Sequence, residues 1–120
     1  ADITRFFENK LKIADKVGIK SKNIILDPGI GFGKRIEDND NIIVNLNKFK
    51  QFNHPILVGI SRKSFLSINN DTSDARLTSS IVAMVLAIQN GANILRVHDV
   101  KDTYKLIKTI NRINNVQVRC

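Results

Sequence analysis

The chain has a single cysteine, Cys120, and it is the last residue, so no internal disulfide can form. That usage is compatible with a reducing cytoplasm, where the protein is expected to work. Long hydrophobic runs are missing too. The longest, Ile81 to Ile88, falls far short of the about 20 residues a bilayer demands. Asp2, Arg5 and Glu8 interrupt any apolar stretch near the start, so no signal peptide is expected there. No low-complexity block occurs, and no Cys/His cluster has metal-ligand spacing. The formal net charge of +8 raises the question of nucleic acid, yet the basic residues are scattered, with no run of five and no basic helix face. A nucleic-acid partner and a membrane partner are therefore not expected. An anionic small molecule would use the same charge more economically.

The 120 residues suit one domain large enough to bury a core. Residues 2–17 carry Ile3, Phe6, Phe7, Leu11, Ala14 and Val17 at helical spacing, and Gly18 is placed to stop the helix. Ile24 to Leu26 reads as a strand that ends in Asp27-Pro28-Gly29-Ile30-Gly31-Phe32-Gly33-Lys34. A polar lead-in over 35–41 precedes a second helix, with Ile42, Ile43, Leu46 and Phe49 on its inner face. Asn53-His54-Pro55 breaks that helix, and Ile56 to Ile60 forms a second strand running into Ser61-Arg62-Lys63-Ser64. Residues 67–73 read as a polar loop. A third helix over 74–89 is expected to pack through Leu77, Ile81, Val85 and Ile88, widened by Val82, Met84 and Leu86, and to end at Asn90-Gly91. A third strand spans 93–98 with Arg96 and His98 embedded in it. A fourth helix over 101–113 packs through Tyr104, Ile107 and Ile110.

Continuous apolar strands alternating with helices predict an α/β fold with a parallel sheet. Leu26, Val58 and Arg96 stand 32 and 38 positions apart, the length of a strand–helix unit. Three such units are too few to close a (β/α)8 barrel, which takes about 250 residues. The chain is either a small open sheet or the last part of a barrel.

In parallel α/β folds the ligand sits at the C-terminal edge of the strands. The first strand brings Asp27 there, the second Ser61 to Ser64, and the third Arg96 and His98. Each has a plainer role available: Asp27 as a loop cap, Lys63 as a solvated side chain, Arg96 as a partner of Asp99, His98 as a structural histidine. An arginine and a histidine inside an apolar strand carry a desolvation cost unless paired, which weighs against those roles. The glycine loop is one residue short of a P-loop and has Arg35 in place of the hydroxyl. It fails the dinucleotide pattern, and no nucleophile elbow surrounds Ser61 or Ser64. What remains is a site for a flat polar heterocycle beside an anion. Asp27 would accept from ring N–H groups, Lys63 would donate to the ring, and Arg96 with His98 would hold phosphate.

Three segments resemble the C-terminal signatures of the dihydropteroate synthase family: Asp27 to Lys34, Leu57 to Phe65 (LVGISRKSF), and Ile94 to Val100 (ILRVHDV). The resemblance covers nearly the whole chain, in order and at plausible spacing. It implies a TIM (β/α)8 barrel of which residues 1–120 contribute one helix and the last three βα units. It also implies a transferase of folate biosynthesis that condenses 6-hydroxymethyl-7,8-dihydropterin diphosphate with 4-aminobenzoate and releases diphosphate. Carried over by position, Lys63, Arg96 and His98 are catalytic. Asp27, Gly31 and Lys63 bind pterin, while Phe32, Arg62 and Ser64 border the 4-aminobenzoate pocket in which sulfonamides compete. Arg96 and His98 bind diphosphate. The family also implies Mg2+, whose protein ligand would lie in the absent N-terminal part together with the first five strands, and a homodimer formed through C-terminal helices. Arg35, Ser67 and Ser79 depart from residues common in the family. Two other readings stand beside this one: another pterin-binding barrel enzyme such as a methyltransferase, and a non-catalytic fragment that keeps half a site.

Overall fold

The computed structural model describes residues 2–31, 35–60 and 77–119. Helix α1 (Asp2–Lys16) leads through a 3-10 turn (Ser21–Asn23) to Leu26. Helix α2 (Ile36–Val44) passes into a second 3-10 segment (Leu46–Phe52). Strand β1 (Leu57–Val58), helix α3 (Leu77–Gln89), strand β2 (Ile94–Leu95) and helix α4 (Val100–Arg119) complete the order. Leu26 forms a parallel bridge to Ile56, and β1 pairs in parallel with β2, Leu57 opposite Ile94 and Val58 opposite Leu95. This is the expected α/β alternation.

The ladder is shorter than the apolar runs around it. Strands were expected over 24–26, 56–60 and 93–98, whereas pairing covers Leu26, Ile56 to Val58, and Ile94 to Leu95. Hydrophobicity marks burial and not pairing: Ile60 is buried but lies past the end of β1.

Around these strands the core gathers Phe7, Leu26, Ile30, Ile42, Ile43, Leu46, Phe49, Ile56, Val58, Ile60, Ala83 and Ala87. Of the expected inner face of α1 only Phe7 is fully buried, while Phe6 and Val17 are exposed. Phe7 meets the second 3-10 segment edge-on, 5.2 Å from Phe49 and 5.9 Å from Phe52 between ring centroids. Helix α1 stops as its glycine predicts. The Ile19 N–H bonds back to Ala14 O and the Gly18 N–H to Asp15 O, and the same pair of bonds closes α3 from Ala92 and Gly91.

The second helix differs from expectation in shape but not in its buried face. Ile42, Ile43, Leu46 and Phe49 are all buried, yet the helix starts at Ile36 and gives way at Asn45 to a 3-10 segment. The Asn45 N–H is shared between Asn41 O and Ile42 O, and its own side-chain amide also donates to Asn41 O at 2.8 Å. That competition for backbone carbonyls is how asparagine unsettles a helix interior.

Helix α3 corrects a second expectation. Its buried residues are Ser80, Ala83, Met84 and Ala87; Leu77, Ile81, Val85 and Ile88 are half-buried, and Val82 and Leu86 are exposed. Small side chains on the inner stripe let the helix lie close to its neighbours, so size outweighs hydrophobicity in choosing the face. Helix α4 extends well past Ile113 and turns Thr103 inward, its hydroxyl 3.9 Å from Met84 Sδ. Tyr104 and Ile107, expected to pack, are exposed, and Ile110 is half-buried.

Replacing Leu46, which is fully buried, with alanine should cost about 2–5 kcal/mol. Ala87→Leu should cost about 1–3 kcal/mol by overpacking. Urea unfolding of the full-length protein measures both; an unchanged midpoint for Ala87→Leu would refute the small-residue packing of α3.

Candidate functional site

The register decides which residues leave the sheet together. Leu57 donates its N–H to Leu26 O at 2.8 Å, and Arg96 donates its N–H to Val58 O at 3.0 Å. Gly59 and Arg96 therefore emerge side by side at the C-terminal ends of parallel strands, while Asp27, level with Leu57 and Ile94, leaves the same edge of the sheet two residues earlier.

After Leu26 the chain makes a tight loop. Asp27 Oδ1 accepts the Gly29 N–H at 2.8 Å, so the carboxylate does cap the loop, with its other oxygen at an exposed position. Ile30 is buried in the core and anchors the loop from below. Gly31 has a φ of +87°, a conformation that glycine adopts without strain. Its N–H donates to Asn39 Oδ1 at 2.7 Å. Asn39 is fully buried on α2, and its amide nitrogen donates to Arg35 O at 3.0 Å. Glu37 and Asp38 flank the first turn of α2, where acids suit the helix dipole. Hydrogen bonding and charge attraction from Asp38, with help from Glu37, raise the pKa of the fully exposed Arg35 guanidinium.

Arg96 turns its guanidinium across β1. A Cβ added at Gly59 would lie 2.7 Å from Arg96 Nη2, 3.0 Å from Nε and 3.1 Å from Cζ, so only glycine leaves room for this arginine where it lies. Among the described residues no ion pair holds Arg96, and the pairing with Asp99 is not formed. Both Arg96 and His98 lie beyond β2 and are exposed, not embedded in a strand. Neither side chain therefore incurs the desolvation cost expected of a charged group inside an apolar strand. Exposure at the strand ends is what a cation facing a solvated anion requires.

The structure thus brings Asp27, Gly31 and Arg96 to one edge of the sheet, with His98 two residues further along. Phe32, Arg62, Lys63 and Ser64 lie outside the described residues. Sequence reading passed over two contributors, Asn39 and Gly59. Asn39 sat in what looked like a polar lead-in, although its spacing to Ile42, Ile43 and Leu46 puts it on the buried stripe. Gly59 looked like one more residue of an apolar run. A groove of about 320 Å3 beside Asp27, Pro28 and Gly29 is bordered by Asp2, Ile3 and Phe6 of α1. A second, of about 410 Å3, follows the outer side of Leu26 along Phe6, Leu11, Ile24 and Ile25.

A family profile described as pterin binding enzyme matches residues 1–98. The chain belongs to that family. The chain is 38% identical over 111 residues to the dihydropteroate synthase of Escherichia coli K12, covering 92% of the chain and 39% of that protein. It spans about two-fifths of that relative's length. The Yersinia pestis dihydropteroate synthase solved with a sulfonamide drug is 35% identical at a TM-score of 0.91, over 96% of this chain and 42% of that one. The Xanthomonas albilineans enzyme in complex with 7,8-dihydropteroate is 31% identical at a TM-score of 0.91, over 94% of this chain and 44% of that one.

Gly59→Ala in the full-length protein should displace the Arg96 guanidinium while leaving the fold intact, because the clash falls on the far end of a flexible side chain. Affinity for inorganic diphosphate, followed by calorimetry, should drop about tenfold, the scale of one charge-assisted hydrogen bond. Unchanged affinity would separate Arg96 from anion binding.

Proposed function

We propose that the chain is the C-terminal portion of a dihydropteroate synthase, a cytoplasmic transferase of folate biosynthesis. In this reading residues 1–120 supply one helix and the last three βα units of a TIM barrel. The observation that carries it is the arginine held across Gly59 at the sheet edge it shares with Asp27, in a chain whose relatives are dihydropteroate synthases.

In the proposed reaction the amine of 4-aminobenzoate attacks the exocyclic methylene carbon of the pterin diphosphate. The carbon–oxygen bond breaks, diphosphate leaves with the electron pair, and the amine loses a proton. Asp27 accepts hydrogen bonds from the pterin ring, Gly31 shapes the wall beside it, and Lys63 donates to the ring. Arg96 and His98 bind the diphosphate and stabilise the negative charge that grows on it, a gain realised mainly in the transition state. Phe32, Arg62 and Ser64 border the 4-aminobenzoate, the position at which a sulfonamide would compete. Little proton chemistry is needed, so alignment of the two substrates is the main contribution.

Mg2+ is part of this reading, but the described residues gather no group of three or more His, Cys, Asp or Glu to hold it. Its ligand is assigned to the remainder of the barrel. That remainder also gives the exposed Ile25 and Phe6, beside the outer side of Leu26, something to pack against. The exposed Val82 and Leu86 on α3, with Tyr104 and Ile113 on α4, suit a homodimer contact in the parent enzyme. Among the described residues no helix is long and apolar enough to cross a membrane.

The test is to supply the pterin diphosphate and 4-aminobenzoate to the 120-residue chain, alone and combined with a complementary N-terminal half, and to follow dihydropteroate and diphosphate. Turnover is expected only in the combination. Activity of the chain alone would refute the need for the absent strands, and a folded but inactive combination would refute the assignment. Lys63→Ala in the active combination should raise the KM for pterin diphosphate at least about tenfold; an unchanged KM would remove Lys63 from the pterin site.

A further inference from the structure

We propose that Asn39 is a positioning residue that holds the glycine loop in the shape that receives the pterin ring. The proposal rests on the functional reading above and deepens it. Asn39 is completely buried, in a stripe otherwise filled by Ile42, Ile43 and Leu46. Burying an amide there is unfavourable unless both of its ends are hydrogen-bonded. They are: the oxygen accepts the Gly31 N–H at 2.7 Å, and the nitrogen donates to the Arg35 carbonyl at 3.0 Å. The Arg35 carbonyl also accepts the Asn39 backbone N–H at 3.1 Å. One side chain thereby joins Gly31 to Arg35 at the start of α2.

The short contact to Gly31 is the one that bears on substrate. Between Leu26 in the ladder and Gly31 the fixings of the loop include the Asp27–Gly29 hydrogen bond and the buried Ile30 side chain. Both act upstream of Gly31. Asn39 sets where Gly31 lies, and with it the path of the loop that presents Asp27. No other residue type of this size offers an acceptor toward Gly31 and a donor toward Arg35 at once. Aspartate keeps the acceptor and loses the donor; alanine loses both.

The experiment uses the full-length enzyme with Asn39→Ala and Asn39→Asp, measuring kcat, the KM of each substrate and the melting temperature, together with hydrogen exchange at the Gly31 amide. Asn39→Ala should raise the KM for pterin diphosphate about tenfold, while the KM for 4-aminobenzoate stays within about twofold. Asn39→Asp, which keeps the Gly31 contact, should recover most of the pterin affinity. In the unsubstituted enzyme the Gly31 amide should be protected from exchange, a measurement that holds even where Asn39→Ala does not fold. A lower melting temperature with both KM values unchanged would make Asn39 purely structural and overturn the proposal. So would an equal rise in the two KM values, or a Gly31 amide that exchanges like an open loop. An unsubstituted enzyme that turns over neither substrate would overturn the functional reading itself, an outcome visible before any substitution is made.

Discussion

Everything at the candidate site depends on a parallel ladder only a few residues long. Leu26 against Ile56, and Leu57–Val58 against Ile94–Leu95, set three chain segments in one register and one direction. Because the strands are parallel, the residues that follow each of them leave from the same edge. A slip of one residue would turn Asp27 or Arg96 toward the opposite face of the sheet. At the other end, Asn93 strengthens the same register: its side-chain oxygen accepts the Ile56 N–H at 3.0 Å and the Lys50 ammonium at 3.2 Å. The far end of the ladder is thus tied so that the near end can carry ligand groups.

Given that register, the chemistry is a division of labour across the sheet. A carboxylate stands at one side and a guanidinium at the other, with the width of one strand between them. A flat heterocycle with several N–H groups needs an acceptor such as Asp27, and a diphosphate needs cations that no protein carboxylate has neutralised. In the proposed reading Arg96 meets that second need, since it lies over a glycine and has no ion-pair partner among the described residues. A net charge of +8 without any basic run favours small anions in general and offers no run built for a polyanion.

The strands, their order and the residues at their ends were legible because continuous apolar runs bounded by turn chemistry leave few alternatives. So were both glycine helix stops. Less legible were the faces of α3 and α4. There the buried stripe holds, beside the expected Met84, Ser80, Ala83, Ala87 and Thr103, residues that a hydrophobicity pattern discounts in favour of Val82, Leu86 and Tyr104. The change from α2 to the 3-10 segment at Asn45 was hidden for a different reason: the inner-face residues are the same in either helix, so the pattern does not distinguish them. Arg96 and His98 were placed at the right end of the sheet by an argument that does not hold for exposed side chains. Gly59 was legible only as a gap in side-chain volume, since its meaning lies in Arg96, 37 positions later in the chain.

Asn39 and Gly59 have something in common that bears on how such sites are built. Neither is a substrate contact in the proposed site, and each holds a neighbour in place there: Gly31 for Asn39, Arg96 for Gly59. Gly59 acts by absence, leaving the space into which a guanidinium can lie. Asn39 acts by satisfying two backbone groups that belong to different parts of the chain, which a buried amide can do and an aliphatic side chain cannot. The polar residue in the apolar stripe of α2 is unfavourable on its own and favourable only when the loop is in place, so loop and helix specify each other. In the proposed reaction the precision of substrate alignment rests on such couplings, which in this chain run from the core outward to the strand ends.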